Sequence, residues 1–410
     1  MKLRQAIKFR LYPTKSQETR LREILGTCCD VYNSFLHWRR YDYDLFGTSP
    51  SYYEQKKALP RWKKEHPELG EVYSQVLQDV CRRADLAYQS YFDRLADYQF
   101  RKAIGKLKEE EKCPGPPRNK GKGVYDSITY TQTAAFEMEE NSISFSKLGT
   151  IKAVIHRPLP GIPKTCTIQR QSGKWFATIS CEVEAEFLPE SQEAVGVDVG
   201  LHHFAITSDE EFIDNPRFFR QDEKALARAQ RKFDKVKNKH RSPQRHKAKR
   251  VLARKNERIR NRRHNFVHQV SRRLVDRYTL IAMEKLSVEN MMATPQAKPD
   301  PENPGKFLPN GASRKSGLNK SIADAAWSMF RNVLTSKAEK AGRVVVSVDP
   351  AYTSQDCSEC GRRVPKTLNE RWHTCPHPDC GLSIHRDINA ARNILKIALL
   401  ISVGLYRVAA

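Results

Sequence analysis

Residues 194–200 read AVGVDVG, and the aspartate inside that apolar run constrains the fold more than any other residue. Val195, Val197 and Val199 mark a buried strand. A carboxylate among them costs several kcal/mol unless it is paired or holds a metal. Asp198 therefore requires a fold that brings compensating groups to the middle of a sheet. The residues that follow contain the elements for one. LHHFAITS and EEFI continue as two more strands in meander order. Some fifty strongly basic helical residues come next, then the apolar strand TLIAMEKL, a helix around residues 325–341 and the strand RVVVSVDP. Four clustered cysteines and a last helix opening near Asp387 complete the order.

Three strands, helix, strand, helix, strand, helix is the element order of the ribonuclease H-like fold, a mixed five-stranded sheet with flanking helices. Two insertions interrupt it here, one basic and helical, one cysteine-rich. In that fold the first and fourth strands are neighbours and the last helix packs over them. Glu284 ends the fourth strand, and Asp387 opens the last helix in HRDINAARNIL. Asp198, Glu284 and Asp387 are thus expected to converge. Such a cluster suits two Mg²⁺ ions, because hard cations take oxygen ligands and several negative charges must offset two metals. The matching chemistry is in-line displacement at a phosphodiester. Taken singly, Asp387 reads equally well as a helix N-cap and Glu284 as a strand-end surface acid. The fold order of all three favours the metal centre.

The cysteines sharpen the picture. Cys28, Cys29, Cys81, Cys113, Cys166 and Cys181 show no ligand spacing and read as buried or reduced thiols. Cys357, Cys360, Cys375 and Cys380 fall within 24 residues, as C-x2-C and C-x4-C. A secreted disulfide framework spreads its cysteines through a small domain, whereas one compact quartet in a long chain reads as a tetrahedral site for one Zn²⁺. His373, His377 and His385 lie near enough in sequence to replace a thiolate.

Charge indicates the class of partner. The chain carries 72 Lys and Arg against 47 Asp and Glu, a net +25. Residues 221–270 alone hold 18 basic and four acidic residues, so more than half of the excess sits there. Pro243 marks a turn between two helices in this stretch. Self-repulsion on that scale is relieved by a polyanion, through phosphate neutralisation and counterion release. RNA, DNA or a hybrid satisfies it, and Arg258, Arg260, Arg262 and Arg263 are candidate contacts. A membrane is the rival polyanion, but no window holds ~18 uninterrupted apolar residues. The longest apolar run, 394–406, is interrupted by Lys396, and MKLRQ lacks a signal peptide's apolar core. The expectation is a cytoplasmic, nucleoid-associated protein that touches no membrane.

The first half is organised differently. Residues 1–12 alternate apolar and basic side chains as a strand, and Pro13 with Thr14 and Ser16 opens a helix. Residues 13–105 are mostly helical, and 106–123, with CPGPPRNKGKG, form a loop or linker. Residues 125–184 turn to β structure, with Ser172-Gly173-Lys174 as a hairpin turn. The first strand is placed to join that sheet, which makes the helical block an insertion. Residues 189–193 are a boundary.

Together these motifs resemble the TnpB family, the transposon-encoded RNA-guided nucleases related to type V CRISPR effectors. RLYPTKSQ is similar to the family's N-terminal signature, GVDVGL to its first nuclease motif and MEKLSVENM to its second. SIADAAWSMFRNVLTSKAEKAG resembles the helix after it, and DPAYTSQDCSECG with DINAARNIL the ribbon and third acid. The likeness spans nearly the whole chain. It implies a multi-domain α/β protein with a wedge-type β-barrel at 1–12 and 124–188, and a helical recognition domain and linker at 13–123. It also implies a RuvC nuclease domain at 194–350 and 382–397, a zinc-ribbon target-nucleic-acid-binding module at 351–381 and a tail at 398–410.

By the same resemblance, Asp198, Glu284 and Asp387 hold two Mg²⁺ ions, for which Mn²⁺ can substitute, and the four cysteines hold zinc. A guide RNA from the transposon end directs cleavage of double-stranded DNA beside a short adjacent motif, by a monomer in the ribonucleoprotein. Tyr53 and Gln78 fall near that motif by position. PPRNKGKG departs from the family's usual run, with Asn119 where an aromatic is common, so no RNA contact is assigned there. The rival readings are a compact CRISPR effector with the same chemistry and a guided binder that represses without cutting. The intact acid set counts against the binder. A strand-transferring transposase on the same fold fits the ribbon and the helical insertion poorly.

Overall fold

The computed structural model describes residues 2–107, 111–189, 193–237, 242–303, 305–367 and 369–408. The chain divides into two units, Met1–Glu184 and Ala185–Ala410. In the first, β1 (Lys2–Tyr12) leads into α1 (Lys15–Phe46), α2 (Tyr52–Glu65) and α3 (Ser74–Ala103). Thr14 starts α1 with a capping box. Its hydroxyl accepts from the Gln17 N–H at 3.3 Å, and the Gln17 side chain accepts from the Thr14 N–H at 3.0 Å. Six strands follow: β2 (Ser127–Tyr130), β3 (Phe136–Met138), β4 (Ser142–Phe145), β5 (Gly149–Val154), β6 (Ile162–Gln171) and β7 (Lys174–Glu184).

With β1 they build one antiparallel sheet in the order β2-β6-β7-β1-β5-β4-β3. Since β1 pairs with β7 from Lys2↔Glu184 to Leu11↔Trp175, the helices are an insertion after the first strand. The β6–β7 hairpin turns through Ser172 and Gly173 at φ 51° and 77°, the left-handed pair that matches strand twist. Ile7, Phe9 and Leu11 share a core with Leu21, Cys28 and Phe35 of α1 and Val76, Val80 and Ala84 of α3. Tyr130 on β2 meets Phe145 on β4, ring centroids 5.3 Å apart, and donates to the Ser146 carbonyl. The sheet's outer parts approach in this way, although no ladder joins β2 to β3 among the described residues. Five of the six unclustered cysteines are buried as expected. Cys113, beside a proline in the loop, is exposed.

The second unit opens with a meander, β8 (Ala194–Val199), β9 (His203–Thr207) and β10 (Phe212–Asp214). The basic helices α4 (Phe218–Asp234) and α5 (Pro243–Arg277) follow, with Pro243 in the first turn of α5 and Ser242 as its cap. Then come β11 (Leu280–Glu284), α6 (Val288–Met292), a short hairpin of β12 (Lys298–Pro299) and β13 (Phe307–Leu308), α7 (Ala312–Ala325) and α8 (Trp327–Ala341). The expected helix at 325–341 begins only at Trp327, because Ala326 is left-handed at φ 57° and separates it from α7. Next are β14 (Val344–Val348), the ribbon strands β15 (Trp372–Thr374) and β16 (Ser383–His385), and α9 (Arg386–Val408).

The main sheet has the order β10-β9-β8-β11-β14, with β8, β11 and β14 parallel and β9 and β10 antiparallel to their neighbours. The first and fourth strands are neighbours, as the element order predicts. One face packs Val195, Val197, Ile281 and Met283 against Val267 and Leu274 of α5 and Phe330 and Leu334 of α8. The other packs Ala282 and Val348 against Ile394 and Ala398 of α9. Burial on both faces explains why the parallel strands read as nearly continuous apolar runs.

Two expected boundaries fall inside regular elements. Helix α9 runs through the expected tail at 398–410 as far as Val408, and Ala398 is fully buried against the sheet. The ribbon, expected to end at 381, extends to His385, because β16 pairs with β15 from Trp372↔His385 to Thr374↔Ser383. Parts of the expected linker, boundary and basic stretch, at 108–110, 190–192 and 238–241, lie outside the described residues, as do 409 and 410. Among the described residues no helix is long and apolar enough to cross a membrane.

Candidate metal centres

Side chains alternate along β8, so Gly196 and Asp198 face away from the valines and toward α9. Gly196 is a close-approach position. A Cβ there would lie 1.9 Å from the Ala391 carbonyl oxygen and 2.9 Å from the Leu395 nitrogen. The helix backbone therefore rests directly on the strand. Asp387 lies one turn before Ala391 on the same helix face, and Asp198 lies two residues past Gly196. The contact brings the two aspartates to one place. Glu284 joins them through register. Gly196 pairs with Ala282 and Val197 with Met283, so Glu284 stands level with Asp198 on the next strand.

The electrostatics agree with this convergence. Asp198 keeps some solvent contact as a residue, yet its carboxyl is closely surrounded. Burial raises its pKa well above the usual carboxylate range, and Glu284 and Asp387 raise it further; Arg386 and the Val199 N–H oppose them. Burial also raises Glu284, against the lowering effect of the Thr353 hydroxyl, which donates to Glu284 Oε1 at 2.6 Å. A partly buried carboxylate with two more beside it is a donor set for hard divalent cations. Among the described residues the cysteines alone form a set whose ligand atoms all lie within 4.8 Å of one another.

The four cysteines make a tighter set. Cys357 and Cys380 sulfurs lie 3.7 Å apart, as do those of Cys360 and Cys375. A tetrahedron with Zn–S near 2.3 Å has edges of about 3.8 Å, so the thiols fit zinc. Gly361 and Gly381, each just after the second cysteine of its pair, turn the knuckles at φ 75° and 58°. The three histidines considered as substitutes are not in the set. His373 is buried with Nδ1 against Lys366 Nζ, and His385 Nδ1 accepts from the Asp387 N–H at 3.3 Å.

Sequence reasoning missed the residues that join the ribbon to α9. Asn389 accepts from the Ser358 N–H at 2.8 Å and donates to the Asp356 carbonyl at 2.8 Å, bracketing Cys357. Asn393 donates to the carbonyls of Thr353 and Asp356 at 2.8 and 2.6 Å. Both asparagines are buried, and the signal was two amides a helical turn apart inside an apolar run.

The structure separates the four candidate arginines. Arg258 and Arg260 are exposed. Arg262 pairs with Asp222 on α4 and covers the Phe218 ring at 5.0 Å. Arg263 pairs at 2.8 Å with Asp324 on α7, whose other oxygen accepts from the Phe219 N–H. These two tie helices together. Tyr53 is exposed on α2 and Gln78 half-buried on α3.

Comparison with known proteins adds the family. A model described as "Probable transposase" matches residues 178–294, "Cas12f1-like, TNB domain" matches 327–394, and "Helix-turn-helix domain" matches 1–45. That last segment is here a strand and one long helix. A Streptomyces pristinaespiralis protein named "Putative RNA-guided DNA endonuclease" is 33% identical, covering 97% of this chain and 90% of its own. "Putative RNA-guided DNA endonuclease InsQ" of Escherichia coli K12 is 31% identical, covering 96% and 92%. The solved structure of the mini-RNA-guided endonuclease CRISPR-Cas phi3 covers 97% of this chain and 92% of its own at 11% identity, with a TM-score of 0.47. With relatives this similar over almost the full length, and the signature motifs present in order, the chain belongs to the TnpB family.

Proposed function

We propose that the protein is an RNA-guided DNA endonuclease of a transposable element, cutting by metal-dependent phosphodiester hydrolysis. The observation that carries this reading is the meeting of Asp198, Glu284 and Asp387 through the Gly196–Ala391 contact and the β8–β11 register. When Mg²⁺ or Mn²⁺ ions are bound, they supply an activated water and stabilise the leaving oxygen. The chain's part is to hold three carboxylates in place against mutual repulsion. Asp198 stands on a strand that cannot rotate, Glu284 is held by Thr353, and Asp387 sits in the first turn of α9, where the helix dipole favours negative charge.

In this reading the second unit is a RuvC nuclease domain with a zinc ribbon inserted between β14 and α9. The curled sheet of the first unit is the wedge-type barrel, with α1–α3 as the recognition insertion. Guide pairing reads the target sequence, while the protein reads only a short adjacent motif. Tyr53 and Gln78 are proposed to meet that motif, and Arg258 and Arg260 to meet phosphates. The working form is a monomer bound to RNA from the transposon end.

The test is to sequence the RNA that copurifies and supply it as guide against DNA with a randomised flank. Cut ends beside one flanking motif, dependent on Mg²⁺ or Mn²⁺, are expected. Guided binding without cut ends in either metal would leave a guided repressor instead.

A further inference from the structure

Glu284 stands beside Asp198 with its carboxylate largely enclosed, and the side chain that hydrogen-bonds it comes from outside β8, β11 and α9. Thr353 lies in the turn after β14, four residues before Cys357, and is 4% exposed. Its hydroxyl carries one proton. Glu284 Oε1 is 2.6 Å away, while the alternative acceptor, the Pro350 carbonyl, is 3.2 Å away. The Thr353 carbonyl is held by Asn393, whose amide also binds the Asp356 carbonyl. Asn389 then brackets Cys357 through Asp356 and Ser358. Backbone N–H groups of Gln355 and Asp356 donate to the Tyr352 carbonyl at 2.8 and 2.9 Å and close the turn. Residues 352–358 thus form one pinned segment, with the hydroxyl on Glu284 at one end and a zinc-type knuckle at the other.

We propose that Thr353 is a positioning residue for the nuclease reaction, orienting Glu284 while the cysteine ribbon, through Asn389 and Asn393, holds Thr353 in place. The proposal rests on the nuclease reading and adds a physical link between the two metal sites. Partners of this kind behind metal-ligating carboxylates typically matter by about 10- to 100-fold in metal affinity or activity.

Guide-loaded full-length protein tests it. Thr353→Val removes the donor at nearly constant volume, and Thr353→Ser keeps the donor. Thr353→Val should raise the Mg²⁺ concentration for half-maximal cutting by about 10- to 100-fold. Mn²⁺ binding, read by electron paramagnetic resonance, should weaken by a similar factor. Zinc content and guided target binding should stay at wild-type levels, and Thr353→Ser should recover most of both losses. Asn393→Ala should shift both readouts the same way, and its effect should be less than additive with Thr353→Val, because both act through one chain of bonds. If Thr353→Val fails to fold, Thr353→Ala carries the same comparison. Wild-type Mn²⁺ affinity and cutting in the donor-free variant overturn the proposal. So does a Thr353→Ser variant as impaired as Thr353→Val, which would assign the effect to packing. A wild type that binds targets without cutting them defeats the nuclease reading instead, and the Mn²⁺ titration still decides the role of Thr353.

Discussion

The cysteine ribbon and the acid cluster share the same end of α9, yet they are built on opposite plans. The ribbon draws four soft ligands within 4.8 Å from one continuous stretch of chain, and its turns come from two glycines. The acid cluster collects three hard ligands from β8, β11 and α9, far apart in sequence. A closed four-ligand set leaves a metal no free position and can only hold structure. An open set of carboxylates leaves positions for water and a phosphate, which chemistry requires. The ligands of the first all come from one short stretch of chain. The second exists only when the whole sheet has formed and the last helix has docked.

Metal removal should break this comparison most visibly. Brief chelation should abolish cutting reversibly, with activity restored by Mg²⁺, while about one zinc per chain remains. Cys375→Ser should release the zinc, lose on the order of 10 kcal/mol of metal binding and unfold the ribbon locally. Elemental analysis of both samples checks the contrast. Unchanged zinc in the cysteine variant would refute the closed site.

Gly196 probes the dependence of the acid cluster on docking. Any side chain there must displace the α9 backbone. Gly196→Val should cost at least about 1–3 kcal/mol and lower cutting with it, since Asp387 moves with the helix. A variant that cuts normally would show that the strand–helix contact does not set the site.

The arginines sharpen the division between scaffold and partner surface. Arg258→Gln with Arg260→Gln should lower the salt dependence of RNA binding by about two ions and leave thermal stability unchanged. Arg262→Gln with Arg263→Gln should do the reverse, because Asp324 would be left buried without its counter-charge, keeping only the Phe219 N–H. Equal slopes in both double variants would erase the distinction.

The smallest effect concerns pH. In the folded metal-free protein Asp198 holds its proton to higher pH than the unfolded chain, whose aspartates titrate near about 3.9. The stability it contributes is full below that value and is lost as pH rises through the raised one. Above that raised range the ionised group is therefore a cost. Asp198→Asn should raise the metal-free melting temperature by about 2–4 °C per kcal/mol relieved, and the variant should gain less from added Mg²⁺ than the wild type does. A lower melting temperature would mean that the carboxylate is stabilised without metal.

Much of the second unit was legible in the sequence, because an acid inside VGVDVG and two cysteine pairs violate ordinary patterns in ways few structures can satisfy. The topology then followed from element order. What was not legible depended on direction. Charge counting cannot tell Arg260, facing outward, from Arg263, folded back on Asp324. Lys396 reads as an interruption of the apolar run 394–406, yet its ammonium reaches the Ser358 carbonyl while the helix continues. Asn389 and Asn393 drew no reading at all, although they hold the ribbon, because which backbone groups an amide meets depends on the docked helix. Ala326 carries no sequence signal for the left-handed break it makes.

The most direct measurement of the central claim scores binding and cutting separately for Asp198→Ala, Glu284→Ala and Asp387→Ala. Each single variant, loaded with guide, should bind its target with near wild-type affinity and make no detectable cut. The double variants should be no worse than the singles, because the three carboxylates act as one unit on the metals. Residual cutting by Asp198→Ala at anything close to the wild-type rate would place the active site elsewhere.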